Sequence, residues 1–318
     1  MITLSRCLRA FSSNLPSWTP LSVSDVPRID RQYEDFTKAL GEKYPGFEDT
    51  EYFCWLHQIR QATLETGNEP KEVVYPADCQ ETWKVIYRRL RQLHYKYACE
   101  EHKYNLRELE ELGIYSDRCI PQFPWINRYL ADKTGFKLVP VGGMINSRSF
   151  LNALAFKIFF STQYLRHKSV PFYSPEPDVV HELMGHVPLF ADPDFAEFSQ
   201  EIGICSLGAS DEEIAALAKL YFYGVEFRVI ESESRTTVLG AGILGSCVEI
   251  EYVGQGNGKL KKWNTEEVLK TEFELSALQP LYYSTPSMQE LKRHLLSFLQ
   301  KLPKYVDFDR LTSRASLL

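Results

Sequence analysis

From Gln80 to about His102 the chain runs without a glycine or a proline, and Trp83, Val85, Ile86, Leu90, Leu93, Tyr97 and Ala98 recur at spacings that gather them on one broad face. A stripe of that width is stable only against other apolar surface, so it commits the chain to packing helices together. The same periodicity returns from Ile29 to Leu40 and from Thr50 to Thr66, with Tyr44-Pro45-Gly46 between them, and from Leu106 to Leu112, where Gly113 stops it. Residues 120–135 read as a loop and a helix, entered through Pro121 and Pro124 and left at Gly135. Helical spacing resumes from Ser149 to Arg166, where Phe150, Leu154, Phe156, Phe159 and Tyr164 are dense enough to imply burial on more than one side. It appears again over Ala196 to Leu207, over Asp211 to Phe227 with Ser210 and Glu213 placed for a capping box, and over Met288 to Leu302.

Strand signals are fewer. Phe136 to Val141 alternates before the turn Gly142-Gly143, and Val229 to Leu239, Val248 to Val253, Glu272 to Leu275 and Leu281 to Tyr283 look extended, with Gly254 to Lys262 an exposed loop. No internal repeat or linker divides the chain. The expectation is a mainly α fold: one large helical catalytic domain with a few short β-strands over residues 25–309, followed by a short tail, 310–318.

Composition narrows the function classes. Hydrophobic residues at 44% supply a substantial core, while a net charge of -6, with no basic block beyond Lys259 to Lys262, argues against a nucleic-acid partner. No apolar run reaches the roughly 20 residues of a membrane-spanning helix, so no membrane partner is expected. Seven cysteines stand singly without a CxxC pair, which suits a reducing compartment. Residues 1–24 carry Arg6 and Arg9, several hydroxyl side chains and no acid before Asp25, and Arg9-Ala10-Phe11-Ser12 has the form of a processing site. They read as an organelle-targeting or disordered segment, and the expected location is mitochondrial, otherwise cytoplasmic.

The most informative stretch is Ser174-Pro175-Glu176-Pro177-Asp178-Val179-Val180-His181-Glu182-Leu183-Met184-Gly185-His186-Val187-Pro188. Two histidines beside an acid invite a metal. The HExxH of zinc peptidases works because residues four apart share a helical face, whereas here the histidines are five apart and would point about 140° away from each other on an ideal α-helix. Both imidazoles meet one ion if the helix ends between them, and Gly185 with Pro188 supplies that break. Two imidazoles and one carboxylate form the ligand set of iron(II) oxygenases, which leaves open positions for dioxygen and cosubstrates. Glu226 is the candidate carboxylate. It lies in the apolar run Leu220-Tyr221-Phe222-Tyr223-Gly224-Val225-Glu226-Phe227, where a lone charge is costly unless a proton, a cation or a metal accompanies it.

Several segments resemble the catalytic domain of the pterin-dependent aromatic amino acid hydroxylases, the family of phenylalanine, tyrosine and tryptophan hydroxylases. They are Gly135-Phe136 through Val141, Tyr164-Leu165-Arg166-His167, Pro175-Glu176-Pro177-Asp178, His181 through Phe190, and Phe198-Ser199-Gln200-Glu201-Ile202-Gly203. The resemblance runs more thinly from Val26 to Asp309. It implies that His181, His186 and Glu226 hold Fe(2+), with Tyr221 near the iron and Glu182 reaching the pterin through water. It further implies that the loop Gly143-Met144-Ile145-Asn146-Ser147 binds a tetrahydropterin, either tetrahydrobiopterin or a reduced folate, with Phe150 stacking on its ring. Arg166, Tyr173, Ser174, Phe222 and Ser246 would contact the aromatic amino acid, Arg166 taking its carboxylate and Asp178 orienting Arg166 or a neighbouring ligand.

The implied activity is monooxygenation by O2, most simply phenylalanine to tyrosine. Gln279-Pro280-Leu281-Tyr282-Tyr283 looks like a phenylalanine hydroxylase, whereas Phe222 stands where tryptophan hydroxylases carry Phe and the other classes Trp. Three positions depart from the family pattern: Gly245, just before Ser246 and Glu249, replaces a serine; Phe160 replaces a His or another polar residue; Arg228 replaces a glycine. The alternatives are a tryptophan 5-hydroxylase, an iron-binding pseudoenzyme with a scaffolding role, and a hydrolase with zinc at the same ligands. Matching sequence starts near the amino terminus and ends at Asp309, without the helix through which animal members form tetramers, so a monomer or weak dimer is expected.

Overall fold

The structure, a computed structural model, describes residues 15–16, 19–65, 69–231, 235–273 and 277–308. The first half holds α1 (Phe36–Leu40), α2 (Thr50–Glu65), α3 (Ala77–Tyr97), α4 (Glu100–Glu111), α5 (Phe123–Lys133), β1 (Lys137–Val141), α6 (Ser147–Leu154) and β2 (Ile158–Thr162). A six-residue π-helical turn, His181–His186, then leads through α7 (Val187–Phe190) to α8 (Pro193–Ser206) and α9 (Asp211–Tyr221). A second π-turn, Phe222–Glu226, precedes β3 (Arg228–Glu231), β4 (Thr236–Val238), α10 (Ala241–Leu244), α11 (Cys247–Gly254), β5 (Lys259–Lys262), α12 (Thr265–Lys270), β6 (Leu281–Thr285) and α13 (Met288–Leu299). The mainly α architecture is the expected one. Most of the 1–24 segment, Thr66, Leu275 and the 310–318 tail lie outside the described residues.

Helix ends follow local chemistry. Ser210 and Glu213 close the capping box on α9, Asp192 accepts from the Phe195 amide ahead of Pro193, and Asn264 and Ser287 cap α12 and α13. The apolar face of α3 is fully buried at Trp83, Ile86 and Leu90, each of the two aliphatic side chains contributing about 1.5–3 kcal/mol relative to exposure, whereas Val85, expected on that face, points to solvent. β1 and β2 form a parallel pair with Leu138 opposite Phe159, and the remaining strands form a sheet in the order β4-β3-β6-β5, antiparallel only between β3 and β4.

Several segments differ from the sequence expectation. The 80–102 helix is two helices, because Ala98 bridges to Val238 and the Cys99 amide donates to the Val238 carbonyl at 2.9 Å. The 149–166 stretch is helical only to Leu154; Lys157 at φ 56° turns the chain into β2, which is buried along its whole length. Burial on both faces fits a central strand as well as a core helix, and Ile158, Phe159, Phe160 and Thr162 favour the strand. Between Ile29 and Leu40 only Phe36–Leu40 is α-helical. Val248 to Val253 is helical, started by Ser246 accepting from the Glu249 amide at 3.2 Å. Lys259–Lys262 pairs with β6 instead of lying in a loop, and Glu272 and Phe273 are not in a strand.

Two histidines are fully buried in the core. His94 on α3 and His102 on α4 meet ring to ring at 4.5 Å, and burial holds His94 well below the ordinary imidazole value and His102 down to about 4. In the unfolded chain both protonate near the ordinary value of about 6.5, so between pH 6.5 and 4 the unfolded state binds the extra protons. Stability is therefore full above pH 6.5 and falls with acidification, by about 1.4 kcal/mol per pH unit for each histidine. Denaturant unfolding at pH 7, 6 and 5 reads the slope. His102→Gln flattens it by one proton, and an equal slope in that variant contradicts the assignment.

Candidate metal centre and substrate pocket

No helix end separates His181 from His186. The backbone between them is π-helical, with the Val187 amide bonding the Glu182 carbonyl five residues back. In that register residues five apart stack on one face, so the spacing that scatters imidazoles on an α-helix brings them together here. Glu226 reaches the same point by the same device, as the last residue of the second π-turn. The backbone of α10 lies directly on the first turn: a Cβ at Gly185 would stand 2.3 Å from the Ala241 carbonyl oxygen, and one at Gly245 2.8 Å from His181 Cα. Gly245 therefore serves a close backbone approach to a candidate ligand.

His186 Nε2 lies 3.0 Å from His181 Nε2 and 3.0 Å from Glu226 Oε1, while His181 Nε2 is 3.8 Å from Glu226 Oε2. Two ligands at right angles and about 2.1 Å from a common ion stand about 3.0 Å apart, so two edges of this triangle suit one face of an octahedron. Among the described residues this is the group of His, Cys, Asp and Glu side chains whose donor atoms converge for a metal. Glu226 Oε2 is buried without a hydrogen bond, an acceptor that a cation would satisfy. Burial pushes the Glu226 carboxyl up, but the neighbouring His186 and His181 outweigh it and hold it below the ordinary value. Burial brings His181 down to about 4 against the pull of Glu226, which leaves a neutral imidazole fit to ligate. The residues present fit a divalent ion.

Asp178 is fully buried and does two jobs. It accepts from Arg166 Nε at 2.7 Å and Nη2 at 2.6 Å in a two-pronged pair, and from the amides of Arg166, Val180 and His181 at 2.9, 3.2 and 3.3 Å. It thus fixes Arg166 to the start of the ligand-bearing turn and is both the orienting acid and the turn acid. Nη1 of Arg166 remains unbonded among the described residues. Glu182 accepts from the Thr162 amide and hydroxyl, both at 3.0 Å, at the end of β2. Burial pushes its carboxyl up to about 8 despite those bonds. Tyr221 is buried with no partner for its hydroxyl and meets Phe150 edge to face at 5.0 Å.

Of the cofactor-loop residues, Gly143 is covered by the Tyr33 ring, the Met144 carbonyl accepts from the Glu34 amide at 2.9 Å, Ser147 is exposed at the start of α6, and Phe150 is half-buried on that helix. Phe222 is buried and stacks on Phe273 with centroids 4.0 Å apart. Ser246 uses its oxygen as the α11 cap, Ser174 donates to the Glu176 carbonyl at 2.5 Å, and Tyr173 is 48% exposed in the loop before them. Glu249 accepts from the Tyr282 hydroxyl and the Gln279 amide, so Gln279 to Tyr283 packs behind α11. Phe160 is buried, with the Arg31 guanidinium 5.1 Å above its ring. Arg228 is fully buried; none of its guanidinium nitrogens has a hydrogen-bond partner among the described residues, and its guanidinium lies 4.3 Å from the Trp263 ring centroid. Sequence reasoning missed the π-turns and the part played by Thr162. The five-residue spacing ahead of Pro188 was the available signal for the first.

The family model for biopterin-dependent aromatic amino acid hydroxylases matches residues 17–318. The phenylalanine-4-hydroxylase of Dictyostelium discoideum is 39% identical over 289 residues, 90% of this chain and 66% of that protein. The tryptophan 5-hydroxylase of Xenopus laevis is 36% identical over 289 residues, 90% of this chain and 60% of that protein. The chain thus spans about two thirds of the length of such relatives. The crystal structure of Chromobacterium violaceum phenylalanine hydroxylase with bound iron(III) and 7,8-dihydrobiopterin superposes with a TM-score of 0.64 at 32% identity, covering 71% of this chain and 81% of that one. With the model matching nearly the whole chain, this protein belongs to the biopterin-dependent aromatic amino acid hydroxylase family.

Proposed function

We propose that the chain hydroxylates an aromatic amino acid, phenylalanine first, with O2 and a tetrahydropterin at an iron(II) held by His181, His186 and Glu226. The carrying observation is the convergence of those three donors beside an Arg166 that Asp178 fixes in place. Iron, when bound, supplies the centre at which dioxygen is activated with electrons from the pterin. The chain's own residues bind and orient. The free Nη1 edge of Arg166 takes the substrate carboxylate, the stacked Phe222–Phe273 pair lines one side of the arene, and Phe150 with the 143–147 loop seats the pterin. Glu182 faces the cofactor side, and Tyr221 closes the apolar wall.

Mixing the iron-loaded chain with oxygen, tetrahydropterin and phenylalanine, tyrosine or tryptophan separately, and weighing the products, tests the reading. One added oxygen atom on phenylalanine is expected; iron binding with every amino acid unchanged overturns it in favour of the scaffolding role. Phe222 supports tryptophan as the second substrate to try. Arg166→Lys keeps the charge but loses the fork, and the KM for the amino acid rises about 10- to 100-fold, as for loss of a charged hydrogen bond. An unchanged KM removes Arg166 from the substrate site. The composition of residues 1–24 supports a mitochondrial location, and a monomer or weak dimer remains the proposed assembly, checked by light scattering.

A further inference from the structure

Proline at 188 has no N–H to give, which leaves a nearby carbonyl without its helical donor. Which one depends on the register. In an α-helix the Val187 amide would serve Leu183 and the missing donor would fall on Met184. In the observed π-turn the Val187 amide goes to Glu182, and Leu183 loses its donor. Both carbonyls are served from outside. The Tyr115 hydroxyl donates to Leu183 O at 2.8 Å, and His102 Nε2 donates to Met184 O at 2.8 Å.

Because a carbonyl only accepts, His102 must carry its proton on Nε2; its Nδ1 is bare. His94, against the His102 ring, makes the matching bond to Leu244 O at 2.7 Å, at the end of α10, which lies on the π-turn. The pair thus ties one carbonyl from each of two backbone segments that touch at Gly185 and Gly245. All three side chains are buried, and burial keeps both histidines uncharged.

We propose that Tyr115 is a positioning residue that holds the 181–186 turn in the π register, while His102 and His94 anchor that turn and α10 from behind, so that both ligand histidines aim at one ion. Tyr115 selects the register, since its bond is needed only where Val187 has passed Leu183 by. In the α register His181 and His186 diverge by about 140° and the triangle is lost. The inference rests on the metal reading above, so the two are tested apart.

Fe(II) is titrated anaerobically into the wild-type chain, Tyr115→Phe, His102→Gln and His102→Leu, and amide exchange over residues 181–187 is followed in the metal-free proteins. One Fe(II) per wild-type chain is expected, with affinity at least about tenfold weaker in Tyr115→Phe and His102→Leu, as for outer-shell partners generally. The Val187 amide exchanges at a changed rate in Tyr115→Phe, because its acceptor passes from the Glu182 to the Leu183 carbonyl. His102→Gln, which keeps an N–H at similar reach, restores most of the affinity, a rescue that loss of packing alone does not give. Wild-type affinity in Tyr115→Phe with unchanged exchange overturns the proposal. If His102→Leu does not fold, Tyr115→Phe decides, since it removes one oxygen and keeps the ring. A wild-type chain that takes no Fe(II) overturns the metal reading, and Val187 exchange in Tyr115→Phe then decides the clamp by itself.

Discussion

His186→Ala empties the candidate metal centre: iron affinity falls more than about 100-fold and hydroxylation with it. That bound exceeds the range of about 10 to 100 for a group that merely supports a ligand, because His186 supplies a donor atom itself. His186 is the shared corner of the triangle, 3.0 Å from each of the other two donors, and its ring packs on Phe159 at 4.5 Å. Without it the remaining partners of Glu226 are His181, at 3.8 Å, and the Gly242 backbone. A buried carboxylate without a close partner is unfavourable, so its pKa rises and it competes poorly for a cation. The measurement is metal content after anaerobic loading and dialysis, beside turnover. Stoichiometric iron in His186→Ala removes the ligand assignment, whereas iron loss with turnover intact removes the iron mechanism.

Gly185→Ala decides between two effects of opposite sign. Helix propensity favours alanine over glycine by about 1 kcal/mol, so a purely local reading makes the variant more stable. The added Cβ, however, would stand 2.3 Å from the Ala241 carbonyl oxygen and 3.0 Å from its carbon, both backbone atoms of a buried helix that no rotamer change can move aside. Overpacking of this kind costs about 1–3 kcal/mol and lies here at the upper end, so a net loss of about 2 kcal/mol is expected. α10 must move off the ligand-bearing turn, and iron affinity weakens in parallel. Denaturant unfolding of the metal-free chain gives the sign; a gain in stability shows that α10 shifts at little cost.

The sequence was most legible where one interaction dominates. The α3 stripe, Val85 apart, and the Ser210 capping box depend on neighbours within a turn or on simple burial, and both stand where their residues predict. Legibility failed where a distant strand decided. Nothing within residues 80–102 announces that Val238 will take the Ala98–Cys99 backbone out of the helix. β2 was read as helix because its apolar run, buried on both faces, has no strict period. At the candidate site the identities His181, His186 and Glu226 were readable, but the reason they converge was not. A helix end was expected where a continuous π-turn stands, because the Glu182 bond that defines that register depends on contacts from Tyr115, His102 and α10.

The continuous turn has a consequence for how such a motif changes by insertion and deletion. A π-turn is an α-helix with one residue inserted, the surplus absorbed locally while the flanking helix keeps its path. Removing one residue between His181 and His186 leaves a histidine pair four apart, and an α-helical backbone again puts both rings on one face. Residue count and backbone register are therefore matched variables, and altering either alone separates the imidazoles. The same five-residue spacing met elsewhere is informative about a shared ion only together with whatever feeds the carbonyls that the wider turn leaves open.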